Sequence, residues 1–168
     1  INEYSELLHA VPELIWTARV VLLASVITHI ALSIQLAGQN AGARKGRYKT
    51  DPNGTEQTPL QKWARYTMTY TGPMLLLYIV FHLAHLTGGV HLPIEGYEFQ
   101  HLHPYENMVG SFREPWVGAV YIAASLFLGL HIFHGGQALF NTLGLRHPTW
   151  DGRTRGGAMA VAVFVTLA

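Results

Sequence analysis

The sequence predicts an all-α integral membrane helix bundle, with three full spans and a truncated fourth. Three observations carry that expectation. Charged residues make up only 12% of the 168 residues, about half the share usual in a soluble domain. They are also segregated, with none from Val20 to Gln39, from Thr67 to Ile94, or from Trp116 to Leu145. Stretches of about 20 apolar residues are the length at which an α-helix crosses the hydrocarbon core. The whole chain, 1–168, suits a single domain.

Taken in order, residues Ile1 to Pro12 hold Glu3, Glu6 and His9 and read as an interfacial lead-in. Pro12 suits the start of a helix, where its missing N–H is not needed. The first span then covers Glu13 to Ala37 and stops in the glycine-bearing stretch 38–42. A basic loop follows to Arg65, carrying Arg44, Lys45, Arg47, Lys49 and Lys62, with turn chemistry at Asp51-Pro52-Asn53-Gly54. The second span covers Tyr66 to Gly88, and Pro73 is expected to kink it or to mark a short first turn. The loop from Gly89 to Pro115 is acidic, with Glu95, Glu98, Glu106 and Glu114 against Arg113. Its aromatics Tyr97, Phe99, Tyr105 and Phe112 suit a membrane–water boundary. The third span covers Trp116 to Leu143, and a second basic loop brings Arg146, Arg153 and Arg155. The apolar run from Gly156 to Ala168 is too short to span, and is expected to be the start of a helix that is cut off. The first residue is Ile, so a preceding segment is expected as well.

Lysine and arginine in short loops mark the cytoplasmic side. The loops at 42–65 and 144–155 are therefore assigned to the cytoplasm of a multi-pass protein in the cell inner membrane, and the acidic 89–115 loop to the outside. The two basic loops fall on one side, as three alternating spans require. The chain has no cysteine, which excludes disulfides, thiolate-bound iron–sulfur clusters, cysteine nucleophiles and haem attached through a Cys-x-x-Cys-His motif. Nothing in the charge pattern supports nucleic-acid binding.

Each apolar run carries histidine: His29 in the first, His82 and His85 in the second, His131 and His134 in the third. An imidazole in hydrocarbon needs a partner, and ionisable residues there mark function or helix–helix hydrogen bonding. Both readings apply to any one of them. Depth separates the two. His29 lies 15 residues before Arg44, and His131 lies 15 residues before Arg146. Both helices run inward, so the two rings sit at matched depth in the cytoplasmic half, where one haem spans them. His82 lies 17 residues after Arg65 on a helix running outward, which places it in the outer half. His85 cannot be its partner, because two ligands one turn apart on one helix cannot take opposite faces of a haem. His85 and His134 each follow a candidate ligand by three residues and suit a supporting hydrogen bond to propionate or quinone. His134 is also a rival ligand. The second nitrogen of each ligating ring is expected on a carbonyl or hydroxyl, with Thr28 and Ser125 as local candidates. Arg19 either snorkels to the outer interface or pairs with a propionate. The complete spans hold no carboxylate beyond Glu13 at an edge, which argues against a carboxylate-bound di-metal site. His91, His101, His103 and His147 read as solvated loop residues. The glycines beside the histidines (Gly129, Gly135, Gly136, Gly88, Gly89) permit close approach of a helix or a macrocycle.

The pattern resembles the cytochrome b membrane-anchor subunit of succinate:quinone oxidoreductases, the succinate dehydrogenases and fumarate reductases, of the single-chain, five-helix, dihaem kind. The resemblance rests on His9-Ala10-Val11-Pro12 leading to His29, and on Thr71-Gly72 followed by His82. It rests also on Leu130-His131-Ile132-Phe133-His134-Gly135 with Leu139-Phe140-Asn141-Thr142-Leu143-Gly144. It implies haem b, with His29 and His131 on the inner haem iron. It implies His82 on the outer haem, opposite a histidine of a helix outside this sequence. It further implies menaquinone or ubiquinone as substrate, with His85, Glu13 and Glu6 as outer-side candidates at the quinone. The partners it implies are an iron–sulfur subunit and a flavoprotein subunit on the cytoplasmic face. The chain itself would not oxidise succinate. Position 129 is glycine where some dihaem fumarate reductases have glutamate, so the proton movement associated with that residue is not carried over. Two other classes compete: a cytochrome b subunit of another quinone-linked enzyme, of hydrogenase or formate dehydrogenase type, and a non-haem polytopic transporter.

Overall fold

The computed structural model describes residues 2–43, 59–90, 94, 98–144, 147 and 149–167. The expected turn at Asp51–Gly54, the basic residues 44–49, and His91, Glu95, Tyr97 and Arg146 lie outside them. All regular structure among the described residues is α-helical: α1 (Asn2–His9), α2 (Pro12–Ala43), α3 (Pro59–Leu86), α4 (Pro104–Ser111), α5 (Pro115–Thr142) and α6 (Asp151–Leu167). Four of the six helices open on proline, whose fixed φ suits the first turn and whose missing N–H would be unpaired there anyway.

Three helical segments are long and apolar enough to cross a membrane: Pro12–Gln39, Tyr66–Leu86 and Pro115–Phe140. The protein is an all-α, multi-pass membrane protein, as its segregated charge implies. α2 passes through Gly38 and Gly42 to Ala43. One interior glycine costs about 1 kcal/mol, too little to end a helix of 32 residues. α3 begins seven residues before the expected span, so Pro73 lies in its interior and not in a first turn. A proline removes one hydrogen bond from a helix, and membrane helices tolerate that loss.

The chain divides into two compact units, Ile1–Glu56 and Gln57–Ala168. The first holds α1 and α2. Its span has no buried residue, and in α1 His9 Nδ1 meets the Ser5 carbonyl at 2.7 Å.

The second unit holds α3 to α6, with α5 packed on both α3 and α6. Gly129 and Gly136 let α6 come close. A Cβ at Gly129 would collide with Thr166 Oγ1, and one at Gly136 would lie 3.2 Å from the Ala158 Cβ. Phe133 fills the space between them against Ala158 and Ala162. α6 starts at Asp151, ahead of the expected Gly156. Its first turn is held by the Arg155–Asp151 ion pair at 2.5 Å.

Described residues between α3 and α5 pack on these two helices. Gly89 turns the chain at φ +62°, and its missing side chain makes room for the Phe99 ring. Buried Asn107 on α4 then holds Gln100, in the stretch before the helix. Its Oδ1 accepts from Gln100 N–H at 2.8 Å, and its Nδ2 donates to the Gln100 carbonyl at 2.7 Å. Ile94 is buried against Val117 and Tyr121 of α5.

Candidate functional site

The contact between α3 and α5 carries most of the chemistry. Both helices are apolar around most of their circumference, yet two of the four buried polar residues among those described, Thr71 and His85, lie on α3. In hydrocarbon a polar group must find its partner inside the protein. Both do so across the helix interface.

Near the middle of the pair, the Thr71 hydroxyl lies 3.4 Å from His131 Nδ1. Toward the end where α3 finishes and α5 begins, the Tyr121 hydroxyl lies 3.0 Å from His85 Nδ1 and 3.4 Å from His82 Nδ1. Tyr121 precedes His131 by ten residues of α5, and Thr71 precedes His82 by eleven of α3. At 1.5 Å of rise per residue, the two separations are about 15 and about 16.5 Å. The helices are therefore antiparallel and in register, with one histidine level at Thr71–His131 and a second at Tyr121–His82–His85. His131 and His82 therefore lie at different heights along this pair.

The second level is set in aromatic packing. Tyr78 meets Tyr121 edge-on at 5.4 Å and the His82 ring at 5.6 Å. Phe81 lies 5.5 Å from the His85 ring. Phe112, from the segment between α3 and α5, lies 4.9 Å from Tyr121. His85 is 1% exposed, so solvent and lipid do not reach its ring.

At the first level His131 and His134 are half-buried. Gly72 beside Thr71, and Gly135 one turn after His131, have no atom within 4 Å of where a side chain would begin. Gly129 and Gly136 have a different role and face α6. The expectation that glycines serve close approach holds for these two as helix packing.

Among the described residues no group of three or more histidines and carboxylates gathers as a metal site. A porphyrin iron asks for less, one imidazole on each face. His131 and His82 each offer one such imidazole, at separate levels of the α3–α5 pair. Each is on a long helix, and each has its Nδ1 within reach of a hydroxyl, the arrangement that orients a ligating ring. Which tautomer each ring carries follows from its partners.

The remaining candidates belong to the first unit. His29, Glu6 and Glu13 are exposed on α1 and α2, and Arg19 stacks over Trp16 of its own helix at 5.2 Å. His29 and His131 belong to different units. The loop histidines His101, His103 and His147 are exposed, with His103 3.7 Å from Glu106 and His147 2.5 Å from Thr149 Oγ1.

Tyr121 is the residue that sequence reasoning passed over. Its signal was present: it is the lone tyrosine in the charge-free run 116–145, and a phenol in an apolar span requires a hydrogen-bond partner. Thr71 entered only through the resemblance. The local candidates Thr28 and Ser125 were sought on the histidines' own helices, whereas His131's hydroxyl partner comes from the neighbouring one.

The fold and this site define a class, multi-pass membrane proteins with histidines stacked at two levels between antiparallel spans. No protein-family model, curated protein or solved structure matches the chain.

Proposed function

We propose that the chain is a haem b-binding membrane anchor of a succinate dehydrogenase, carrying electrons from an iron–sulfur subunit to membrane quinone. The observation that carries this reading is the pair of histidine levels about 15 Å apart along α3 and α5, each with an imidazole Nδ1 facing a hydroxyl. A transporter needs no such pairing, and its substrate site is expected at broken helices near the midplane.

Haem b, when bound, supplies a one-electron carrier at each level. The protein's part is to hold and tune. His131, oriented by Thr71, is the proposed ligand at the inner level, and the equal residue counts to the basic loops propose His29 as the second ligand. His82, oriented by Tyr121, is the proposed ligand at the outer level, with its partner outside this sequence. Histidine ligation, burial and hydrogen bonds around the ligands are the means by which a protein sets haem potentials. The enclosure of His85 favours a supporting role beside His82 over direct contact with quinone. Glu6 and Glu13, both exposed, remain the proposed proton-delivery groups there. The segment from Gly89 to Glu114 is the proposed cover of the outer level, since Ile94 and Phe112 pack on Tyr121.

A reduced-minus-oxidised optical spectrum of the purified protein tests the reading. Low-spin b-type bands are expected, together with co-purification of flavin- and iron–sulfur-containing subunits. Absence of haem bands from protein isolated from its native membrane would remove the proposal. Haem bands with a hydrogenase or formate dehydrogenase as partner would move it to that class.

A further inference from the structure

We propose that Tyr121 joins His82 and His85 in a directional hydrogen-bond relay. In it, His82 Nδ1–H donates to the phenol oxygen, and the phenol O–H donates to His85 Nδ1. The bridge stands on geometry alone, and its direction rests on the haem reading above.

The single proton of the phenol sets the pattern. The Tyr121 oxygen lies within hydrogen-bond distance of both Nδ1 atoms, at 3.0 Å and 3.4 Å. A phenol has one proton to give and lone pairs to accept. When it donates to one of the two nitrogens, the other contact requires an imidazole that donates. The two rings are then in opposite states at Nδ1, one protonated and one bare. Spacing on α3 makes this possible, because His82 and His85 lie three residues apart and present both rings to one point on α5. The shorter contact goes to the more enclosed ring, His85.

Direction follows from ligation. A neutral imidazole that binds iron through Nε2 keeps its proton on Nδ1. His82 is then the donor, and the phenol O–H is left to donate to His85 Nδ1 across the shorter contact. A phenol that donates while it accepts is the better acceptor for it. Its pull on His82 Nδ1–H leaves the ring more electron-rich, which favours the oxidised iron and lowers the potential of that haem. Tyr121 is a positioning residue in this scheme, and it acts on the iron only through His82.

Tyr121→Phe isolates the hydroxyl, because the ring that packs on Tyr78 and Phe112 remains. The probe is nitrogen NMR of the full chain labelled with 15N-histidine, recorded on the reduced, diamagnetic protein. In the unsubstituted protein His82 is expected protonated at Nδ1 and His85 bare there. The same state at Nδ1 in both rings overturns the proposal without any variant. In Tyr121→Phe the nitrogen signals of both rings are expected to move together, and unchanged signals overturn it. Redox titration supplies the second readout. The outer haem is expected to stay low-spin in Tyr121→Phe with its midpoint potential raised, and a lowered or unmoved potential overturns the assigned direction. Paired nitrogen shifts in a protein that never binds haem would uphold the bridge while refuting the haem reading.

Discussion

His131 is the residue on which most of the chemistry turns, and the two hydroxyl-held levels give it a testable role. A side-chain hydrogen bond between membrane helices contributes only about 0.6 kcal/mol on average. Loss of the Thr71 contact should therefore hardly affect folding, so effects of substituting His131 report on ligation more than on stability. His29→Ala and His131→Ala are each expected to abolish the low-spin signal of the inner haem. His134→Ala, one turn nearer the basic loop, is expected only to shift its potential or loosen binding. Electron paramagnetic resonance of the three variants checks this. A low-spin signal that survives His131→Ala and vanishes in His134→Ala would falsify the depth argument.

At the scale of elements, the pairing of α5 with α6 depends on small residues. Gly129 and Gly136 face Thr166 and Ala158, whereas Gly135 between them faces open space. Overpacking a close helix contact typically costs about 1–3 kcal/mol. Gly129→Leu and Gly136→Leu are expected to lower thermal stability by that amount, measured by melting in detergent. Gly135→Ala is expected not to lower the melting temperature, since nothing stands in the way of its Cβ and alanine is the better helix former. Equal loss from all three would mean that contact with α6 does not decide the effect, because helix propensity alone favours replacing glycine. If a macrocycle lies beside His131, Gly135→Leu should weaken haem retention while sparing the apoprotein's stability.

At the scale of the whole molecule, the two basic stretches and the acidic segment assign sides. The absence of cysteine gives a clean background for labelling single introduced thiols. Cysteines at Asn53 and Gly152 are expected to react from the same side of the membrane, and one at Glu98 from the other. Labelling of the first two from opposite sides would break the three-span topology, and with it the matched depths of His29 and His131.

The sequence by itself determined that the chain is helical, crosses a membrane several times, and carries histidines at two depths. The reason is physical. Bilayer thickness and a fixed rise per residue turn residue counts into depth, and the cost of burying charge makes span boundaries visible in composition. Which hydroxyl meets which imidazole was decided by the tertiary structure, because rotation of one helix against another is not encoded in depth. That rotation brought Thr71 to His131 and Tyr121 to both His82 and His85. Nor did counting reveal Asn107 closing on Gln100, or Gly129 and Gly136 turned toward α6. These depend on packing between segments far apart in the chain, and helices apolar nearly all round show no stripe that announces which face will be covered.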